Sequence, residues 1–401
     1  MKRILSTALM IMLVASNPVF SQDAGSVLKA ITSGEASGNF LLRTEGVDAA
    51  AFDNPAIALT LRSQLGYKTT AFRGWTAYAE FEATSAVLGD DGYANAGWGE
   101  ANNGVGDRPV IADPQGAEVN QGWIRYANDM LQATIGRQEI MFSDSRFIGN
   151  LAWRQNHQSF DAARIDMTPS GILSGSYAYF REIQRHTRQD VTIRGHVGEA
   201  RVALSDMGQL TGFAYLLDYP NAPAASRVTF GARFNGMRAL NEEWKASVET
   251  SYALQKDAFD NPGAVDASYV MASAGVDRSG SGIGIRYESL SGSAADGSFV
   301  TPLATLHKFN GWADVFLATP SDGLVDIQLS LKHSVGGTSI TLIAHDFSAQ
   351  SGDRHHGREF DAVLSRSLPS GQPIGLKFAH YIADETGTDV TKVWIWTSLA
   401  F

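Results

Sequence analysis

Apolar and polar side chains alternate with a period of two over most of the chain. In residues 325–334 (VDIQLSLKHS), the odd positions from Val325 to Leu331 are apolar and the even positions are polar. The same alternation recurs in residues 57–67, 228–235, 243–254 and 282–289. Because successive side chains of a β-strand point to opposite faces, this period predicts strands with one apolar and one polar face.

Such strands fit either a soluble antiparallel sheet with one wet face or a barrel that crosses a bilayer with strands of about ten residues. The connectors between the predicted strands alternate in length. Short ones are predicted near 71–74, 128–130, 168–171, 206–208, 240–242, 277–281, 335–337 and 369–372, and long ones at 46–55, 89–117, 141–158, 183–196, 219–226, 255–266, 291–323, 349–357 and 383–389. Tight turns on one rim and long loops on the other are typical of an outer-membrane barrel. The sequence therefore predicts an all-β fold, an antiparallel transmembrane β-barrel of about eighteen strands with short periplasmic turns and long extracellular loops.

Both ends of the chain favour export to a bacterial outer membrane. Lys2 and Arg3 precede an apolar run and the small-residue site Val19-Phe20-Ser21, which predicts a signal peptide over residues 1–21, cut after Ser21. A short N-terminal periplasmic segment over 22–34 and a barrel over 35–401 then follow. The last strand ends on Phe401, and a terminal aromatic residue is typical of the address that the outer-membrane assembly machinery reads. We expect that machinery, membrane lipid and lipopolysaccharide as partners.

Composition narrows the function classes further. Cysteine is absent and the formal net charge is −10, so we expect neither a disulfide framework nor a nucleic-acid partner. The adjacent His355 and His356 lack the spacing of a metal site. No GxSxG motif is present, although serines near His333 or His345 leave an outer-membrane hydrolase open. We expect no cofactor, no metal and no enzymatic activity.

If the apolar positions of each strand face lipid (outward parity), the alternate positions line the lumen (inward parity). Charged side chains belong to the inward set, because a charged side chain in mid-bilayer costs a few kcal/mol. The inward charged set comprises ten basic residues, Arg43, Arg62, Arg125, Arg164, Arg201, Arg233, Lys245, Arg286, Lys332 and Lys377, and eight acidic ones, Glu45, Glu80, Glu82, Asp166, Glu199, Glu249, Glu288 and Asp326. Eighteen strands enclose a bore wide enough for water unless something fills it. Rings of charge and constricting loops would then set selectivity.

The predicted loop 141–158 has an unusual composition for an exposed loop. Its apolar residues Phe142, Phe147, Ile148 and Trp153 need an apolar environment, so we expect the loop to fold against the inner wall. Its arginines and glutamines would then project into the pore as fixed donors for carboxylates, and its aromatic rings suit sugar faces. The alternative is that the arginines pair with Glu139, Asp144 and Asp161 and only pin the loop. Both can hold.

Two blocks of the sequence resemble the alginate-export family of outer-membrane porins. They are GRQEI…DSRFIG…WRQNHQSFDAARIDM within residues 136–167, and HKFNGWADVFL followed by PSDGLVDIQL within 307–329. The resemblance extends from about residue 35 to the C terminus and implies an eighteen-stranded barrel with an arginine-rich conduit for an anionic uronate polymer. The resemblance implies that the family's conduit residues correspond to the matching positions of these blocks, which are Arg137, Gln138, Arg146, Trp153, Arg154, Asp161, Trp312 and Asp314. This chain is shorter than the best-known members, and its inward charge is more balanced.

These observations predict a porin that passes anionic polysaccharide or oligosaccharide, such as alginate-like uronates, by passive, charge-selective diffusion. The predicted substrate path comprises Arg43, Arg62, Arg125, Arg137, Gln138, Arg146, Trp153, Arg154, Asp161, Arg164, Arg233, Arg286, Trp312, Asp314 and Lys332. A non-transporting adhesin or structural barrel and a weakly selective general porin remain as alternatives.

Overall fold

The computed structural model describes residues 23–401, so the predicted signal peptide over 1–21 lies outside the described residues. The first nine strands are β1 (Glu35–Ala49), β2 (Ala56–Lys68), β3 (Trp75–Ala86), β4 (Gly116–Ala127), β5 (Leu131–Gln138), β6 (Ser159–Met167), β7 (Leu173–Gln184), β8 (Asp190–Ala203) and β9 (Gln209–Asp218). The next four are β10 (Arg227–Ala239), β11 (Trp244–Asp257), β12 (Asp266–Arg278) and β13 (Ser281–Leu290). After a two-stranded hairpin of β14 (Gly292–Ser293) and β15 (Gly297–Ser298) come β16 (Leu324–Val335), β17 (Thr338–Ser348), β18 (His355–Ser367), β19 (Pro373–Ala383) and β20 (Val390–Ala400).

All strands except the β14–β15 hairpin form one closed antiparallel sheet of eighteen strands. Consecutive strands of this sheet pair with each other, and β20 pairs with β1 from Asn39↔Ala400 to Ala49↔Val390. Closure leaves the barrel without an unpaired edge. The all-β class and the predicted count of eighteen strands are confirmed.

The two rims differ in the length of their connectors. One rim carries tight turns such as residues 279–280 and 336–337, and the other carries long loops such as 87–115 and 291–323. Some predicted long loops are shorter. Loop 46–55 is reduced to residues 50–55, because β1 continues to Ala49. Loop 183–196 is reduced to residues 185–189, because β7 and β8 stay paired up to Gln184↔Asp190. The polar run RHTRQD hides the alternation there.

The alternation of the sequence follows the two faces of the wall. Outward side chains such as Ile285 and Leu329 are exposed on the outside of the barrel, whereas inward ones such as Arg43 and Glu45 are buried. An outward apolar belt and an inward polar face are the pattern of transmembrane barrels. No helix within residues 23–401 is long and apolar enough to cross a membrane, a finding that concerns helices alone.

The helices are few and short. Helix α1 (Val27–Thr32) precedes β1 and is capped by the Ser26 side chain, which accepts a hydrogen bond from Lys29 N. Short 3-10 helices span Gly99–Ala101, Pro223–Ala225 and Leu306–Lys308.

Two loops of the long-loop rim fold into the barrel. We name residues 139–158, between β5 and β6, inner loop 1, and residues 299–323, between β15 and β16, inner loop 2. The loops meet at a parallel bridge between Ile148 and Leu303, where Gly149 N donates to Leu303 O over 2.8 Å. Both residues belong to an apolar cluster inside the barrel, so the loops and the wall share one core.

Candidate functional site

Aromatic packing fixes inner loop 1 against the inner wall, as its composition predicts. Phe142 is buried, and the Phe147 ring lies 5.2 Å from that of Phe213 on β9 and 5.3 Å from that of Tyr269 on β12. Because these rings are removed from water, their burial stabilises the folded-in position. The loop thus narrows the bore.

Arg146 joins inner loop 1 to the wall and to inner loop 2. Its Nε donates to Glu288 Oε1 over 3.0 Å, and its Nη1 and Nη2 donate to Thr301 Oγ1 over 3.2 Å and Asn310 Oδ1 over 2.9 Å. Its guanidinium carbon lies 4.8 Å from the centroid of the Phe309 ring. Arg146 is buried, so its guanidinium serves the contact between loops and wall and does not stand in open water.

Arg154 makes a second connection of the same kind. Its guanidinium lies 3.3 Å from Glu45 on β1 and 3.3 Å from Asp314 of inner loop 2. Lys392 on β20 donates to the same Asp314 carboxylate over 2.7 Å. Arg43 on β1 bonds to Asp113 over 2.5 Å and to the carbonyl oxygen of Trp153. A network of buried ion pairs therefore connects both inner loops to the seam between β1 and β20.

Trp153 and Trp312 enclose a buried ammonium group. Lys377 Nζ on β19 lies 3.8 Å from the centroid of the Trp312 ring and 4.3 Å from that of Trp153, and it donates to His307 Nε2 over 2.7 Å. The other ring nitrogen of His307 bonds to Asp314 over 2.7 Å. Burial lowers the pKa of His307 well below its usual value, Asp314 raises it, and the charge of Lys377 lowers it again. Neutral His307 therefore suits this position.

A carboxylate at the start of inner loop 1 fixes its return to the wall. Glu139 Oε1 lies 2.8 Å from His157 Nδ1, and Asn150 and Asn120 donate to the same carboxylate over 2.5 Å and 2.7 Å. Burial raises the pKa of Glu139, but the His157 ring and the two amides outweigh it and lower the pKa to about 2. Glu139 is thus held as a carboxylate.

Apart from Lys332, the other residues of the predicted path are also paired with neighbours. Arg137 lies 2.7 Å from Asp161, Arg164 lies 2.8 Å from Asp166, and Arg233 lies 2.5 Å from Asp144. The remaining partners are Thr134 Oγ1 for Arg125, His157 for Arg62 and the Ala162 carbonyl oxygen for Gln138. The sequence names three carboxylates that could pin the loop. Asp161 pairs with Arg137 of the first block, Asp144 pairs with Arg233 of the wall, and Glu139 pairs with His157.

A cavity of about 450 Å³ lies between inner loop 2 and the wall formed by β11–β13, β16 and β17. It is lined by three cationic side chains, Arg286, Lys308 and Lys332, and by Asn310, Gln328 and Ser330. Lys308 and Lys332 are exposed, and Lys332 makes no ion pair among residues 23–401. Sequence reasoning identified Arg286 and Lys332 but missed Lys308, although this lysine lies in the second block that carries the family resemblance.

Comparison with known sequences gives one family. The family model described as Alginate export matches residues 99–248, which include β4 to β10 and inner loop 1. The resemblance to the alginate-export family is confirmed over this part of the chain. No curated protein sequence matches the chain.

Solved structures match over nearly the whole chain. Pseudomonas aeruginosa OccK9 (OpdG) has a TM-score of 0.73 and 11% identity, covering 93% of this chain and 99% of that one. Acinetobacter baumannii OccAB2 has a TM-score of 0.73 and 13% identity with the same coverages. Pseudomonas aeruginosa OpdK, solved with vanillate, has a TM-score of 0.69 and 11% identity, covering 92% and 99%. At these identities the likeness establishes the fold, which is that of the outer-membrane Occ porins.

Proposed function

We propose that the chain is an outer-membrane channel that passes small anionic solutes by passive diffusion, with the carboxylates of uronate oligosaccharides as its substrate class. The cavity beneath inner loop 2 is the observation that carries the proposal. Its three cations, Arg286, Lys308 and Lys332, line a space that reaches residues beside the short turns, such as Asp277 and Gly282. Cationic groups along a narrow aqueous path favour anions.

Of the three cavity cations, Arg286 pairs with an acidic residue of the lining, Glu288, whereas Lys308 and Lys332 do not. Glu288 accepts hydrogen bonds from Arg146, Tyr269 and Asn310 and a fourth from Arg286 over 3.3 Å. Asp326 lies 2.9 Å from His345. Asp277 is the exposed carboxylate in the lining. Two exposed lysines and one exposed carboxylate, with Arg286 shared with Glu288, leave a site that suits a solute carboxylate through charge-assisted hydrogen bonds.

The size and polarity of the bore favour oligosaccharides over a wide polymer conduit. Both inner loops and an apolar cluster occupy much of the lumen at the long-loop end. The remaining cavity offers Ser273, Gln328 and Ser330, whose hydroxyl and amide groups can bond sugar hydroxyls. The family description and the vanillate in the OpdK structure, itself a carboxylate, support the same substrate class.

The test is the ion preference of the protein in planar lipid bilayers. Replacing Arg286 and Lys332 together with alanine should shift the reversal potential in a salt gradient toward cations. It should also weaken the block by uronate oligomers about tenfold, as expected for the loss of about 1.5 kcal/mol of charge-assisted hydrogen bonding. The matched control, Lys256→Ala with Arg354→Ala, removes two exposed cations outside the cavity and should change neither quantity.

Other outcomes would select the alternatives. A protein that inserts but carries no steady current would be a structural barrel or adhesin. A current without ion preference, and without block by uronates, would indicate a general porin. An unchanged reversal potential in the double variant would exclude the cavity as the selective element.

A further inference from the structure

The segment before β1 lies on the outer side of the short-turn rim. Tyr67 near the end of β2 has the outward parity of Ile57 and Leu65, and its hydroxyl donates to the carbonyl oxygen of Ile31 in α1. Thr70 N donates to Ala30 O over 3.1 Å, and Ala24 N donates to Ala71 O over 2.8 Å. These bonds hold α1 against the face of the wall that carries the apolar belt.

Helix α1 leaves an apolar face uncovered. Val27, Leu28 and Ile31 are 58%, 71% and 51% exposed, whereas Ala30 is buried. At 3.6 residues per turn these three exposed side chains fall within a third of the helix circumference, and Lys29 lies on the opposite side. Because the outward residue Tyr67 bonds to α1, we place this apolar face on the outside of the barrel.

The surroundings of α1 match a membrane interface in both aromatic content and charge. Trp75 and Tyr126 have outward parity at the same end of the barrel, and their rings lie 5.2 Å apart. Aromatic residues at this level form the girdles of transmembrane barrels. Lys29 and Arg73 are exposed at the same end of the barrel and suit anionic headgroups.

We infer that α1 is an interfacial anchor whose apolar face inserts into the phospholipid of the periplasmic leaflet. Val27, Leu28 and Ile31 enter the boundary between headgroups and acyl chains, while Lys29 stays at headgroup level. The anchor fixes the depth of the short-turn rim at the strand where the barrel closes. This inference concerns the membrane position of the barrel and does not depend on the proposed transport.

Phospholipid fits this face better than a second protein does. Three side chains on a helix of six residues fall far short of the roughly 1,200 Å² that a stable protein interface buries. Insertion at a lipid boundary needs only an apolar face flanked by cations. The outward aromatic residues Trp75 and Tyr126 lie at the same end of the barrel.

Spin labels on single cysteines test the anchor, because the chain has no native cysteine. Full-length Val27→Cys and Lys29→Cys proteins are labelled and reconstituted in phospholipid vesicles, with Leu329→Cys as the belt reference and Asn241→Cys as the turn reference. The label at 27 should be reached by oxygen more readily than by a water-soluble nickel complex, as at 329. The label at 29 should show the reverse preference, as at 241.

Two results would overturn the inference. Equal access of the nickel complex to positions 27 and 29 would place α1 in water. Exclusion of both reagents from position 27 would show that protein covers the face, either a second copy or another partner. Adding anionic phosphatidylglycerol to zwitterionic vesicles should deepen the label at 27, and the Lys29→Glu variant should abolish that change. No dependence on the anionic lipid would overturn the role of the cations.

Discussion

At the scale of single residues, the buried guanidinium groups of the inner loops have fixed partners. Arg146 and Glu288 are both buried and lie 3.0 Å apart. A buried ion pair adds little net stability, but removing one partner strands the other charge away from water. Arg146 therefore serves to hold inner loop 1 in one position. Ion selectivity would depend instead on cations with exposed donors, such as Lys332.

Replacing Arg146 with methionine should release inner loop 1. The Glu288 carboxylate would lose its main charge partner, and we expect a cost of about 3–5 kcal/mol in the free energy of unfolding. Urea unfolding in vesicles measures this cost, and noisier single-channel currents would report the released loop. The double variant Arg146→Met with Glu288→Gln should recover most of the loss. If the double variant is no more stable than the single one, the ion pair does not account for the position of the loop.

At the scale of elements, inner loops 1 and 2 form one unit inside the barrel. They share the Ile148–Leu303 bridge, and the Trp153 and His307 rings stack at 4.8 Å. Arg154 joins the unit to β1 through Glu45, and Lys392 joins it to β20 through Asp314. The two blocks that carry the family resemblance are the blocks that meet here, so the resemblance identifies a contact between loops far apart in the sequence.

Acid should loosen this unit. Burial lowers the pKa of His307 well below its usual value, so His307 binds a proton more readily in released loops than in docked ones below a pH of about 6.5. Burial also lowers the pKa of His157, but Glu139 raises it above its usual value, so His157 acts in the opposite direction. The contribution of neutral His307 to the folded-in state is therefore lost as the pH falls below about 6.5. The lowered pKa of Glu139 adds to the loss at still lower pH.

The measurement is the frequency of current fluctuations in bilayers between about pH 7 and about pH 4.5, a range around the usual pKa of histidine. Fluctuations of the unmodified protein should increase toward acid. His307→Asn keeps a neutral side chain and should reduce the increase. An identical pH profile for this variant would mean that His307 does not contribute.

At the scale of the whole molecule, the barrel is defined by the two faces of one closed wall. Leu329 and Ser330 are neighbours on β16, yet Leu329 is exposed outside whereas Ser330 lines the cavity within. Leu329→Arg should cost about 2–4 kcal/mol in vesicles, the price of an arginine at mid-bilayer. Ser330→Arg serves as the matched control and should cost much less. Equal losses, measured by urea unfolding, would contradict the assigned orientation of the wall.

The C-terminal residue takes part in barrel closure. Phe401 N donates to Gly38 O over 3.0 Å, and Gly38 N donates to Phe401 O over 3.1 Å. Phe401→Ala should keep these backbone bonds but remove the ring that packs beside Gly38. We expect the variant to fold more slowly when the assembly machinery is present in the vesicles, and at nearly the unmodified rate when it is absent. The heat-modifiable gel shift measures the folding rate. Equal slowing in both would assign the ring to closure alone.

The sequence by itself determined the wall of this protein. A period of two depends only on neighbouring positions, so it predicted the strands, their count and the face on which Leu329 and Arg43 lie. Loop lengths predicted the two rims, except at 185–189, where polar residues hide the continued pairing of β7 and β8. The inward parity of Arg286 and Lys332 was predicted in the same way.

Only the tertiary structure decided what the inward charges do. Arg146 and Glu288 are 142 positions apart, and no local pattern records which buried carboxylate a guanidinium meets. The depth of both inner loops, the enclosure of Lys377 by Trp153 and Trp312, and the lining of the cavity depend on contacts between distant segments. Long-range packing therefore separates the arginines that hold the loops from the cations that remain exposed to a solute.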